Sequence, residues 1–244
     1  MSNMIDDRRA FVCCAIALCA MVAVPAPAAP PTPDAIVKAC DEAGYAAQCE
    51  RLLEIAQMKQ FPSVAERDGR VLRLKTRSAI APIELRDNGD PANETGAEYR
   101  AHAFWDYWPQ RKIAVISVMT QGPDHYLAVD LERGTQNRLP AEPLLAPDGQ
   151  RFLVADLCDK QCGNVIQIWR FDRDRMVRER SFKPAEKWYE AEVAWRDAAT
   201  VAIDYSVAAP KRRLAEPGEL TLVRARPRVL KLTDPEWTID NAGR

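Results

Sequence analysis

Side chains able to move protons or hold a metal near neutral pH are few in this chain. His102 and His125 are its only two histidines, and imidazole is the group whose ordinary pKa suits a base or a metal ligand there. If their strands pair, the two rings approach one another, although a locally hydrogen-bonded imidazole is the ordinary outcome. Carboxylates are plentiful. Asp106 and Asp124 are of the type an acid–base hydrolase uses, and that chemistry requires a cleft with two carboxyl groups roughly 5 to 9.5 Å apart. Asp156, Asp159, Asp172 and Asp174 offer oxygen ligands for calcium, but Arg170, Arg173 and Arg175 interleave with the last two in the pattern of a self-neutralising turn. No metal and no cofactor is expected. The chain has no G-x-S-x-G elbow, no H-E-x-x-H pair, no phosphate-cradling glycine loop and no dinucleotide fingerprint. No catalytic residue is therefore assigned.

Two segments carry the chemistry of binding. As a strand, Tyr99 to Trp108 (YRAHAFWDYW) sends Tyr99, Ala101, Ala103, Trp105 and Tyr107 to one face, and Arg100, His102, Phe104, Asp106 and Trp108 to the other. Aromatics on both faces mean that the second face is either covered by another layer or left open. An open face bearing Trp105, Trp108 and Tyr107 beside Arg100 and His102 suits stacking on a sugar ring or anchoring a protein. The second segment, Leu222 to Leu230, sets Arg224, Arg226 and Arg228 at period two, with Lys211, Arg212 and Arg213 upstream. Such a stripe fits an anionic wall polymer or an acidic partner. Pro227 places it at a strand edge or an interruption, where charge also guards against aggregation.

The compartment follows from the first residues. Arg8 and Arg9 precede the apolar run Phe11 to Val24, and Ala26-Pro27-Ala28 offers a cleavage site, the order of a secretory signal over 1–28. The arginine pair also resembles the twin-arginine export motif. Fourteen apolar residues reach only about 21 Å, short of a membrane core, so no stable insertion is expected after cleavage. Beyond the signal remain Cys40, Cys49, Cys158 and Cys162. In a periplasmic or secreted protein these two close pairs read as disulfides Cys40–Cys49 and Cys158–Cys162. The rival is a four-thiolate zinc site, whose loops would be eight and three residues long. Lys plus Arg total 34 against 35 for Asp plus Glu, which excludes a global field for nucleic acid or an anionic membrane.

The elements that position these residues fall in two parts, a helical hairpin over 29–62 and a β domain over 63–244. Thr32 suits an N-cap, Pro33 the first helical position and Asp34 the positive end of the dipole, and Gly44 supplies a stop. A second helix over Ala46 to Gln60 places Cys49, Leu52, Leu53 and Ala56 on one face. After Gly69 the period becomes strand-like, with runs at 71–75, 83–86, 99–108, 112–119, 125–131, 151–157, 165–171, 177–182, 190–195, 200–205 and 220–223. Turn chemistry separates them, and Asp87 to Thr95 forms a longer loop. The fold class expected is all-β and antiparallel, propeller-like or sandwich-like, with a short disulfide-clamped N-terminal helical hairpin.

Leu145-Ala146-Pro147-Asp148-Gly149-Gln150-Arg151-Phe152-Leu153-Val154 resembles the strand, turn, strand element of TolB-like and WD40-like β-propeller blades. Val165 to Trp169 is similar to the outer strand that follows, Val193 to Ile203 to a second copy, and Tyr126 to Gly134 to the strand and turn that introduce a blade. The likeness covers residues 112–205. A closed propeller needs at least about four blades of about four strands, and the length after the signal holds about three. The resemblance implies binding over catalysis. The function expected is an exported, non-catalytic module recognising a protein or glycan partner of the cell envelope. The alternatives are an envelope hydrolase using paired carboxylates, and an inhibitor of or immunity protein against a secreted enzyme.

Overall fold

Helix α1 (Pro33–Glu42) begins on its proline with Asp34 in the first turn, and α2 (Ala46–Gln60) returns beside it. Proline costs nothing where an amide has no helical partner, and an aspartate there faces the positive end of the dipole. Cys40–Cys49 ties the two helices, with Cα atoms 4.6 Å apart. The computed structural model describes residues 33–43, 46–77, 80–89, 99–158, 162–173, 175–209, 222–233 and 236–241. The expected signal over 1–28, the expected cap at Thr32 and stop at Gly44, most of Asp87–Thr95, and Asp159, Asp174 and Lys211–Arg213 lie outside the described residues. Among those described, no helix is long and apolar enough to cross a membrane.

Among the described residues, sixteen antiparallel strands follow in four sheets, each built from strands consecutive in sequence. The first holds β1 (Ala65–Asp68), β2 (Val71–Leu74) and β3 (Ile83–Arg86). The second holds β4 (Arg100–Trp108), β5 (Ile113–Thr120), β6 (His125–Asp130) and β7 (Thr135–Leu139). The third holds β8 (Pro143–Leu145), β9 (Arg151–Asp156), β10 (Val165–Asp172) and β11 (Arg175–Phe182). The fourth holds β12 (Tyr189–Asp197), β13 (Thr200–Ala208), β14 (Leu222–Arg224), β15 (Arg228–Thr233) and β16 (Glu236–Asn241). The fold is thus all-β and antiparallel behind a disulfide-clamped helical hairpin. Four sheets fit where length predicts room for three because the first has only three strands of four residues each.

The sheets pack in chain order. Leu72, Leu74 and Leu85 of the first meet Phe104, Ile116, Val118 and Val129 of the second. On its other face the second sheet sets Trp105, Trp108, Val115 and Leu139 against Phe152 and Val154 of the third, with Cys49 and Leu53 of α2. Leu153, Ile166 and Ile168 of the third then meet Val201, Ile203, Tyr205, Leu230 and Trp237 of the fourth. Sheets covered on both sides lose the polar/apolar alternation of a half-exposed strand. For that reason Ile113 to Met119 of β5 is buried without a break.

The Asp148 turn joins β8 to β9. Gly149 sits at φ +65°, where a side chain would be strained, and its N–H donates to the Ala146 carbonyl at 2.9 Å. Asp148 Oδ1 accepts from the Gln150 N–H at 3.0 Å, closing the turn. The second blade-like segment, Val193 to Ile203, forms the β12–β13 hairpin, and Tyr126 to Gly134 forms β6 with its turn into β7.

Two register expectations change. In β4 the pairing with β5 steps from Phe104↔Ile116 to Asp106↔Val115, leaving Trp105 as an extra, bulged residue. Beyond the bulge the faces exchange: Phe104 and Tyr107 point toward the first sheet, Trp105 and Trp108 toward the third. The basic stripe is likewise not one strand face. The chain breaks at 225–227, so Arg224 ends β14, exposed Arg226 lies in the link and Arg228 opens β15. Both strands pair with β13, at Ser206–Ala208 and at Thr200–Ile203. Proline at 227 interrupts the ladder, as its missing N–H requires. Arg224 bridges Asp204 at 3.2 Å and Arg228 Nε donates to the Tyr205 hydroxyl at 3.2 Å, so the stripe is divided among separate partners.

Candidate functional site

The aromatic strand is core. Trp105, Tyr107 and His102 are each 6–7% exposed and Trp108 1%, so of the five residues expected to bind a partner only Arg100 reaches solvent. The open aromatic face is therefore corrected: the first and third sheets cover both sides of β4, and the rings stack inward. Trp108 lies 5.4 Å from Phe152 and 6.0 Å from Phe171, and Trp105 meets Tyr126 edge-on at 5.8 Å.

His102 is equally committed. Its N–H donates to Asp87 Oδ1 at 2.8 Å, and its Nδ1 lies 3.1 Å from the same oxygen. Asp87 also receives Arg51 Nη2 at 2.7 Å and Arg67 Nη1 at 3.0 Å. Burial pushes the Asp87 carboxyl up, but the His102 bonds and the two guanidinium charges outweigh it and hold it below the usual range. Fully buried Glu54 of α2 completes the network, pairing with Arg67 at 2.8 Å and with Arg51. These ion pairs bolt α2 to the first two sheets. The helix consequently buries Glu54 and Gln57 beside Cys49 and Leu53, while Ala56, expected on the apolar face, is exposed. His125 stands apart: both histidines flank Val118 of β5 from opposite sides, one strand between them. Burial and the Arg138 charge lower the His125 pKa.

A cleft of about 550 Å³ opens where the second, third and fourth sheets meet. The β5–β6 loop contributes Asp124, β6 Tyr126, the β7–β8 link Glu142, the end of β9 Asp156 and β12 Val193. Pro123, Pro140, Leu144 and Leu157 supply apolar wall, and Cys158–Cys162 closes the rim. Three carboxylates thus line it, and no lysine, arginine or histidine does among the described residues. Asp156 Oδ2 accepts the Gly163 N–H at 2.7 Å, and a Cβ on Gly163 would lie the same 2.7 Å from that oxygen, so a side chain there would push the carboxylate aside.

Several acids in this wall and beside it are partly or wholly buried. Glu142 Oε1 accepts the Trp105 indole N–H at 2.8 Å, and burial raises its carboxyl against that bond. Glu50 of α2 accepts the Ser117 hydroxyl at 2.9 Å, while its Oε2 is buried with no hydrogen-bond partner among the described residues. Burial, opposed by Ser117 and reinforced by the Asp124 charge, pushes Glu50 up to about 7. Asp106 accepts from the Tyr107 N–H at 2.7 Å and the Trp108 indole at 2.9 Å, and burial pushes it up to about 7. The Tyr126 phenol is raised by burial and by the Glu142 and Glu50 charges.

Of the carboxylates anticipated for acid–base work, Asp124 lines the cleft and buried Asp106 does not. Asp172 pairs with Arg170 at 3.4 Å and Asp156 holds Gly163; no group of three or more potential metal ligands exists among the described residues. Glu50, Tyr126 and Glu142 were not singled out by sequence, because nothing in Pro140-Ala-Glu-Pro143 or in helix α2 marks which acids converge. No family model, curated protein or solved structure matches this chain.

Proposed function

We propose that the chain is an exported, non-catalytic binding module that holds a protein partner of the cell envelope in this acidic cleft. The observation carrying the reading is the lining itself: apolar wall and carboxylates together, with no cation among the described lining residues. An apolar centre with a charged rim is the anatomy of a protein interface, and complementary charge sets which partner docks. The partner segment on this reading presents lysine or arginine flanked by aliphatic side chains. Two disulfides support an oxidising compartment. Consecutive-strand sheets stacked in chain order are consistent with an opened relative of the blade family.

The test is capture from envelope extract by the mature protein. A retained partner should elute with salt and be lost on the double substitution Asp124→Asn, Glu142→Gln, which keeps side-chain size while removing charge. Equal retention by a folded double variant would remove the acidic cleft from the account. A single one-to-one partner with enzymatic activity would narrow the module to an inhibitor.

One observation favours a second reading, an envelope hydrolase: Glu142, raised by burial, shares the cleft with Asp124. Release of reducing ends from envelope glycan by the wild type, abolished by Glu142→Gln, would establish it in place of the first.

A further inference from the structure

A second cleft, of about 570 Å³, opens between the second and third sheets at the strand ends away from the acidic one. The alternation of an antiparallel meander puts it there. It uses the β4–β5, β6–β7 and β10–β11 turns, whereas the acidic cleft uses the β5–β6 loop. Its chemistry is the reverse. Among the described residues, Arg111, Arg133, Arg173 and Arg175 line it against one carboxylate, Asp130. Asp130 is engaged by Arg133 Nη1 at 2.9 Å, and nearby Asp172 by Arg170 at 3.4 Å.

The arginines differ in readiness. Arg111 is fixed, with Nε donating to the Gly149 carbonyl at 2.9 Å, Nη2 to Gln150 Oε1 at 2.6 Å, and its guanidinium 4.6 Å above the Phe171 ring. A cation seated over an aromatic ring loses conformational freedom in advance of binding. The guanidinium groups of Arg173 (φ +51°) and exposed Arg175 make no hydrogen bond or ion pair to any described residue, and the two residues flank the β10–β11 turn on the cleft wall. Gln136 and Asn137 of β7 add amide donors and acceptors on the facing side.

We propose that this cleft binds a phosphate monoester of sugar size. Planar guanidinium forks match phosphate oxygens two at a time, and a dianion answers the excess of three positive charges among the described lining residues better than one carboxylate does. The side-chain amides match sugar hydroxyls. The volume is that of a small-molecule site, not of a polymer groove. This site is independent of the acidic cleft and of the partner assigned to it.

Isothermal titration of the mature protein at about 0.15 M salt, where weak surface attraction is screened, tests the proposal. Glucose 6-phosphate is the probe, with inorganic phosphate, glucuronate and glucose as comparisons. The sugar phosphate should bind about tenfold or more tightly than each comparison, and Arg173→Gln, Arg175→Gln should weaken it about tenfold or more at an unchanged melting temperature. No heat up to about 1 mM sugar phosphate, equal binding by the double variant, or equal affinity for inorganic phosphate or glucuronate would overturn it. Sedimentation of the protein with phosphatidylglycerol vesicles, lost in the same variant, would assign the arginines to a lipid surface and overturn it as well.

Discussion

Glu50 carries the sharpest consequence at the scale of single residues. Its carboxyl is driven from 4.5 to about 7 mainly by burial, with one oxygen lacking a partner among the described residues. A group whose folded pKa is raised favours the protonated native state. The contribution is fully present below the unfolded pKa and is lost as pH rises through the folded one, here between pH 4.5 and about 7. A displacement of this size is worth roughly 3 kcal/mol across that window. The urea midpoint should therefore fall from pH 5 to pH 8, and Glu50→Gln should remove much of that fall. An unchanged pH profile in the variant would show Glu50 to be solvated and ordinary. Asp106 acts in the same direction, so a residual slope is expected to remain.

Residue chemistry was legible in the sequence where it depends on near neighbours. The pairing Cys40–Cys49 and Cys158–Cys162 follows from two short spacings, and the Pro227 interruption from a missing N–H. The faces of β4 were not legible, because the Trp105 bulge is defined by which residue of β5 stands opposite, and that is set by tertiary pairing.

Among elements, α2 shows how tertiary contacts override a pattern. Apolar spacing points to Leu52, Leu53 and Ala56, yet the buried side holds Glu54 as well, neutralised by Arg67 at one carboxylate oxygen and Arg51 at the other. Removing one partner of a buried pair strands the others, which costs about 3–5 kcal/mol. Glu54→Gln should lower unfolding free energy by that order, read by denaturant titration, whereas breaking the solvent-exposed pair Arg73–Glu84 should give no comparable loss. A loss below about 1 kcal/mol for Glu54→Gln would mean the helix is not bolted down as described. Strands rich in β-branched and aromatic residues between turn signals were legible. β7 (TQNRL) and β8 (PLL) were not, the one too polar and the other only three residues long and opened by proline. β1 escaped because Ala65-Glu-Arg-Asp carries no strand pattern of its own and is held by pairing with β2. β15 is only partly covered, because the arginine stripe draws one strand across the break at 225–227 and ends it at Leu230, and β16 lies beyond the last run read.

Across the whole molecule, composition hid the most informative property. With 34 basic and 35 acidic side chains the chain is nearly neutral, but the stacked sheets sort charge toward opposite strand ends, carboxylates around one cleft and arginines around the other. Segregated charge focuses the local field and selects ligands of opposite sign without any net charge. Neither cleft could be read from one segment, since each draws on several connections far apart in sequence.

The central claim, that the acidic cleft is where a partner docks, is tested most directly in the cells that make the protein. A photo-crosslinking amino acid placed at Val193, on the cleft wall, should give one discrete heavier adduct on irradiation, while the same group at exposed Arg86 of the first sheet should give none. No adduct at Val193, or the same adducts from both positions, would contradict the account.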